Sequence, residues 1–423
     1  MSKRTRRKKP VRPVARKQPS STPPQRRAGG DEADLMRSVA TALADEHPLA
    51  MLGLGSTLLS AFDPRRCGPF DSEPAAELPS RDELVQTFLD VDLLETSALL
   101  AVIAAFSGDD MLRGRVRREI SSRADALPHW LADLPDTGPA DRVLEVVHVL
   151  GDGDNVVIGA RLPGGHEITA VIYIDHNMGR LVKDAFVLPG PIDEVVQKML
   201  DLTDDPDTEA RDLDAADARA RITEAIKFSA ITFPPCESDT WPACRPLVEW
   251  MTAMLPEGGS GYQRPEWDDA ALAELTERFF ASPHGAGFDD ADHRSLLESV
   301  LWFGTGYGPG DPLRWSPTAV EILLADWIPR KIVAEAAYLA KAPDLLRAFI
   351  RFCHRECGIR AELTTQTLGA VDAHEPGYQK LIRSPRPQGP AALLAAMGLD
   401  LAGGDGFLTE GGSEPARRFG GRR

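Results

Sequence analysis

Residues 143–188 read VLEVVHVLGDGDNVVIGARLPGGHEITAVIYIDHNMGRLVKDAFVL. Four runs rich in Val, Ile and other strand-forming side chains, 143–150, 156–162, 168–175 and 180–188, are parted by GDGDN, PGGHE and HNMG. Each separator contains glycine, the usual mark of a hairpin turn. Connections this short join antiparallel neighbours, so the segment predicts a four-stranded antiparallel meander. In the first run Leu144, Val146 and His148 share one face, and Val143, Glu145, Val147 and Val149 the other. In the third, Ile168, Ala170, Ile172 and Ile174 oppose Thr169, Val171, Tyr173 and Asp175. Both faces are apolar, so helices must cover the sheet. The stripe Ile192, Val195, Val196 and Met199 makes a helix at 191–201 the nearest candidate.

On the N-terminal side, residues 31–140 read as a helical domain. Helices are expected from 31 to the break at His47–Pro48, then at 49–60, 81–106 and 109–126, with turn-rich sequence at 64–80. GLGS at 53–56 has no lysine and no preceding strand, so its glycines serve helix approach rather than phosphate binding. The 109–126 helix carries Arg113, Arg115, Arg117 and Arg118, a basic face that pairs with local acids or water. On the C-terminal side the meander with its helix ends near 201. The acidic stretch 201–217, containing DDPDTEARDLDAAD, reads as a linker or loose helix start. From 213 to 400 the pattern is again helical, with helices expected at 214–228, 243–254, 268–281, 290–303, 317–340, 343–357 and 389–398. Ser316–Pro317 fits an N-cap followed by proline at the first helical position. The expected fold class is therefore α+β: predominantly helical, with a central four-stranded antiparallel meander and disordered termini.

The charge is unevenly spread. Of the 48 Lys and Arg in the 423-residue chain, eleven fall in the first 27 residues, which hold none of the 64 acidic ones. Residues 1–30 lack apolar periodicity and are rich in proline, so they are read as a disordered basic arm. Arg4, Arg6, Arg7, Lys8, Lys9 and Arg12 could meet RNA or DNA phosphates without reading sequence, or dock on an acidic protein. The arm contains no aromatic residue for base stacking. Residues 401–423 read as a flexible tail. No apolar run approaches the ~20 residues of a membrane span, and no apolar segment follows the basic N-terminus as a secretion signal would require. Five scattered cysteines do not make a disulfide framework, so a reducing cytoplasm is expected.

Four candidate sites stand out. His148, His166, Asp175, His176 and Asp184 fall on strands or turns of the meander, and His with carboxylate is both an acid–base pair and a metal-ligand set. The catalytic candidates are His148, Asp175, His176 and Asp184. Turn-capping is the plainer role for such residues. Asp152 and Asp154 resemble a calcium loop in composition but lack its spacing. Cys236, Cys244, Cys353 and Cys357 are candidate zinc ligands, although CxxC spacing is absent and buried cysteine is a common core residue. The loop WFGTGYGPGDPLRW at 302–315 offers Trp302, Tyr307, Arg314 and Trp315 as a binding surface, or as anchors of a glycine-rich turn. In DWIPRK, 326–331, proline after an apolar run predicts a kink.

No nucleophile elbow or phosphate loop is present. The sequence therefore favours a non-enzymatic cytoplasmic interaction or regulatory protein. Such a protein would have a protein partner, non-specific RNA or DNA contact through residues 1–30, and no cofactor. An exposed edge strand of the meander would suit strand addition by a partner. The alternative is a metal-assisted or acid–base hydrolase at the sheet rim.

Overall fold

The structure is a computed structural model that describes residues 28–62, 80–232, 235–238 and 240–384. Nearly all of the basic arm, most of the turn-rich 64–80 stretch, Cys67, the 389–398 helix and the 401–423 tail lie outside the described residues. Helices α1 (Ala28–Leu43), α2 (Leu49–Ser60), α3 (Arg81–Leu89), α4 (Leu94–Phe106), α5 (Asp110–Ile120) and α6 (His129–Ala132) precede the sheet. Its strands are β1 (Gly138–Pro139), β2 (Val143–His148), β3 (Gly153–Arg161), β4 (Glu167–Asp175), β5 (Leu181–Pro189) and, after α7 (Ile192–Thr203), β6 (Thr208–Leu213). Then follow α8 (Ala215–Ile231), α9 (Thr240–Ala253), α10 (Asp269–Ala281), α11 (Ala291–Gly306), α12 (Pro317–Glu321), α13 (Ile328–Lys331), α14 (Ala336–Leu339), α15 (Ala342–Glu356) and α16 (Ala361–Leu381). The predominantly helical α+β class is as the sequence predicts.

The chain divides into two units. The first holds the described residues up to Val147, with Asp154–Ile174 and Leu181–Tyr262. The second holds His148–Gly153, Asp175–Arg180 and the described residues from Gln263 onward. The division thus crosses β2 at its last residue.

In the first unit the sheet has the order β5-β4-β3-β2-β6, and β1 pairs with β3. Leu144 faces Val157 and Glu145 faces Val156 across the antiparallel β2–β3 pair. As the alternation requires, Leu144, Val146, Val157 and Val171 pack beneath Ile192, Val195 and Val196 of α7. The opposite face, with Val143, Ile158, Ile168, Ala170 and Ile172, joins a core that includes Leu99, Ile103, Ile222 and Val248 from the helices. Gly55 makes part of that packing possible: a Cβ there would lie within 3 Å of the Val102 side chain. The stretch expected as one helix at 81–106 is two, α3 and α4. Arg123 fills the break, donating to the Phe88 and Leu89 carbonyls, both at 2.9 Å, and so satisfying the open end of α3.

The sheet has six strands, where the sequence predicts four. Of the two further strands, β1 is a two-residue strand on β3, and β6 lies in the acidic stretch 201–217, which is thus neither only a linker nor a loose helix start. TEARDL has little strand propensity, so tertiary contacts must hold it. They are ionic. Glu145 on β2 is 4 % exposed and accepts from Arg211 of β6 and Arg221 of α8, both at 2.6 Å. The Arg221 guanidinium also sits 5.8 Å from the Tyr262 ring centroid. At the other edge, β5 is partly sealed: Val182 N–H donates to Ser229 Oγ at 3.0 Å, and Ser238 N–H donates to the Lys183 carbonyl at 2.8 Å. That sealing narrows the room for strand addition there.

The second unit gathers much of the chain's aromatic content. Phe279 meets Phe349 and Phe352 edge-on at 5.2 and 5.5 Å, and Phe303 stacks on Tyr307 at 5.3 Å. Ser316 caps α12 by accepting from Ala319 N–H, with Pro317 at the first helical position as expected. The continuous helix expected at 317–340 does not form. Residues Ile322–Trp327 adopt a π-helix just before Pro329, which lacks the N–H that an α-helix would use. The chain then leaves helical geometry at Ile332. The sequence also misses α16, whose Gly369, Pro376 and Gly377 argue locally against a 21-residue helix.

Because Glu145 is the buried member of its network, Glu145→Ala should cost about 3 kcal/mol in denaturant-unfolding stability, leaving Arg221 without its counter-ion. Arg211→Ala, which removes the more exposed partner, should cost about 1 kcal/mol. Equal losses in the two variants would contradict this assignment.

Candidate metal centre at the sheet rim

Strand β2 ends at His148, and its neighbour in the sheet, β6, begins at Thr208. The approach to β6 is a tight acidic turn. Asp204 closes α7 in the left-handed region, with φ of 46°, and reverses the chain. Asp205 then holds the turn: one carboxylate oxygen accepts from Asp207 N–H at 3.1 Å, the other from the Thr208 hydroxyl at 3.1 Å. The result sets His148, Asp205 and Asp207 together, all half-buried, with one potential ligand atom from each within 4.8 Å of the others. A cation with bonds of about 2.1 Å holds its ligand atoms no more than about 4.2 Å apart, so little contraction is needed.

One imidazole and two carboxylates suit Zn, Mn or Fe better than a thiol-selective ion. The His148 ring is already oriented. Its Nδ1 accepts from Leu150 N–H at 3.2 Å, which places the proton of the neutral ring on Nε2. Taking a cation at Nε2 moves that proton to Nδ1 and forfeits the backbone bond, a cost of about 1 kcal/mol.

This triad corrects two expectations from the sequence. The sequence favours a chain without enzymatic activity or cofactor; a group of three side chains able to coordinate a metal stands against both. Only His148 of its three members was singled out from the sequence. Asp205 and Asp207 fall in the stretch that reads as a linker or loose helix start, although DDPD directly after an amphipathic helix marks a sharp turn able to concentrate carboxylates.

The other candidates have these places. Asp175 ends β4, and its carboxylate accepts from Met178 N–H at 3.0 Å. His176 is buried in the following turn, with its backbone N–H donating to the Asp152 carbonyl at 2.9 Å. Asp184 on β5 accepts from the Ser238 and Thr240 hydroxyls and from Ala185 N–H. His166 meets His47 edge-on at 5.3 Å between ring centroids. Asp152, one of the two calcium-loop residues, instead ties its turn to Asn177 and Ser316 through one carboxylate oxygen.

His176 and Tyr307, read apart in the sequence, both line a cavity of about 360 Å³ in the second unit, together with Arg264, Asp326, Trp327 and Arg330. Trp302 is half exposed, whereas Trp315 is 1 % exposed and gives its indole N–H to the Pro312 carbonyl at 2.9 Å. Trp315 is therefore a core anchor and no part of a binding surface. Arg314 is engaged by Asp311 and by the Val149 carbonyl. Arg4, Arg6, Arg7, Lys8, Lys9 and Arg12 lie outside the described residues.

Among the described residues none of the four candidate thiols, Cys236, Cys244, Cys353 and Cys357, forms a disulfide, and none enters the metal-competent group. Burial pushes the Cys353 thiol well up and the Cys244 and Cys357 thiols up as well, which opposes the thiolate that zinc requires. Cys353 and Cys357 approach the Pro312 and Leu313 carbonyls at 3.7 and 3.9 Å. Between them, His354 is 1 % exposed. Its Nε2 lies 2.9 Å from the Trp315 carbonyl, which can only accept, so Nε2 carries the proton; Nδ1 then takes the Thr364 hydroxyl at 3.0 Å.

Comparison with protein-family models, curated proteins and solved structures finds no match for this chain. The functional reading rests on its own residues.

Burial lowers the His354 pKa below 6.5, against a smaller opposing effect of the Trp315 carbonyl. The unfolded chain therefore binds this proton more readily than the folded one. The stabilisation from the neutral ring is complete above about pH 6.5 and is lost as pH falls through the lower folded-state value. The stability gap between the wild type and His354→Gln, from urea midpoints, should hold steady between about pH 7 and 8 and shrink below about 6.5. A gap unchanged down to pH 5 would refute the neutral buried ring.

Proposed function

We propose that this protein is a metal-assisted hydrolase whose centre lies at the sheet rim on His148, Asp205 and Asp207. The observation that carries the reading is the convergence of one ligand atom from each of the three within 4.8 Å. A divalent cation held there would polarise a carbonyl or phosphoryl oxygen and supply hydroxide near neutral pH. The chain's own part is positional. The Asp205 turn sets two carboxylates just before β6, and the end of β2 presents the His148 ring to them. The set of one nitrogen and two oxygen donors leaves coordination positions for water and substrate, as catalytic sites require.

The interaction reading keeps a narrower place. The eleven Lys and Arg among the first 27 residues support non-specific phosphate contact as a separate proposal, and the sparse cysteines support a cytoplasmic setting. Among the described residues no helix is long and apolar enough to cross a membrane.

Protein equilibrated with Mn²⁺ or Zn²⁺ and then dialysed should retain about one equivalent by elemental analysis, and His148→Ala and Asp207→Asn should each fall below ~0.1. Hydrolysis of p-nitrophenyl phosphate or p-nitrophenyl acetate should drop at least about tenfold on chelation and return with the metal. Wild-type protein that retains less than ~0.1 equivalent removes the metal centre. Full occupancy with no hydrolysis of either ester, against the same assay, removes the hydrolase and leaves a structural ion.

For the arm, deletion of residues 1–27 should abolish single-stranded RNA binding that falls steeply with salt. Binding that survives the deletion would place the contact elsewhere.

A further inference from the structure

In the first unit, α4, α5, α6 and α9 enclose a cavity of about 910 Å³. Its size is that of a pocket for a whole small molecule rather than a packing defect. The walls are apolar, formed by Ala104, Phe106, Val116, Ile120, Trp250 and Met254 among others. Small side chains make the space: α4 turns Ala101, Ala104 and Ala105 toward it, where larger residues would fill it. Phe106 and Trp250 stand 5.1 Å apart at a tilt and form one aromatic wall.

The charges around the cavity are unequal. Glu249 is neutralised by Arg245 at 2.8 Å, and Arg113 is tied to Asp110. The Arg123 guanidinium is buried and committed to Thr96, Ser97 and two carbonyls of α3. Asp125, the other acid on the lining, is also exposed and has no ion pair among the described residues, and the lining as a whole carries three arginines against two acids. Arg117 lines the cavity, is exposed, and has no ion-pair or hydrogen-bond partner for its side chain among the described residues. It belongs to the basic face of α5 that the sequence assigns to solvent. An apolar chamber with an unpaired guanidinium at its solvent side matches an amphiphile with an anionic head.

We infer that this cavity binds a long-chain carboxylate, its alkyl chain among the α4, α5 and α9 side chains and its carboxylate on Arg117. A charge-assisted pair between guanidinium and carboxylate fixes the head, and the chain supplies affinity in proportion to the apolar area it loses from water. The site shares no residue with His148, Asp205 and Asp207 and does not depend on their occupancy.

The test uses laurate below its micelle concentration, titrated calorimetrically into the full chain. Saturable binding at one site is expected, and decanoate should bind more weakly, by up to about fourfold per methylene removed. Arg117→Glu, a change at an exposed position, should weaken laurate about five- to tenfold and leave dodecanol unchanged. Ala105→Trp, which fills the chamber, should weaken both. Laurate should also shift tryptophan emission in the wild type and not in Trp250→Phe, a readout that stands if Ala105→Trp fails to fold. Any of three results overturns the inference: no saturable laurate binding, laurate affinity unchanged in Arg117→Glu, or dodecyltrimethylammonium binding as tightly as laurate.

Discussion

A buried carboxylate decides where the sixth strand lies. Glu145 points from β2 into the helix-covered side of the sheet, where an isolated charge would be costly. Arg221 reaches it from α8 and Arg211 from β6, each at 2.6 Å, so both carboxylate oxygens are engaged. Removing charges from water seldom stabilises a fold by itself, but an unpaired Glu145 would be intolerable there. The consequence is positional specificity. Apart from Ala210 and Leu213, which pack against the two faces of the sheet, a strand as polar as TEARDL joins it by bringing Arg211 onto Glu145. Once it does so, the acidic turn before it comes beside the end of β2.

That constraint explains how much of the molecule is legible in sequence. The meander is written locally: alternating apolar residues and glycine-bearing turns identify β2 to β5, and the stripe on 191–201 identifies the helix above them. β6 is written in pairs. Its evidence is a glutamate 66 positions earlier in the chain and an arginine on the following helix, and no window along the sequence contains all three. The same holds for α16. Its Gly369, Pro376 and Gly377 oppose a helix locally, while Leu363, Thr367, Val371 and Tyr378 supply a buried stripe that favours one. Tyr378 also reaches across to the Leu339 carbonyl at 2.7 Å. Tertiary burial outweighs propensity in both elements.

The candidate centre was half visible for a related reason. His148 stands out because histidines and carboxylates on neighbouring strands and turns make both an acid–base pair and a metal-ligand set. Asp205 and Asp207 do not, because acidic residues between helices are ordinary in a chain with 64 of them. Only the return of the chain after Asp204 distinguishes these two from the rest. The converse error attaches to the thiols and to Trp315. Residues with reactive or sticky side chains draw notice in a sequence, yet burial turns them into core: Cys353 and Trp315 are each enclosed and each bonded to or near the Pro312 carbonyl.

The bonds that make the acidic turn also bear on what it can hold. Asp205 spends a lone pair of each oxygen on the chain that follows it, and His148 spends Nδ1 on Leu150. Such bonds are what any turn of this kind needs to exist, so they do not by themselves argue for an ion. Their effect on binding is nevertheless definite. A carboxylate oxygen keeps a second lone pair after one hydrogen bond, so Asp205 can hold the turn and a cation at once, whereas His148 gives up its Leu150 bond as the ring proton moves from Nε2 to Nδ1. Asp205 is thus oriented before a cation arrives, which lowers the ordering entropy that binding must offset. The third donor, Asp207, follows Asp205 by two residues and leads directly into β6, so the strand that Glu145 draws into the sheet also sets the last donor in place.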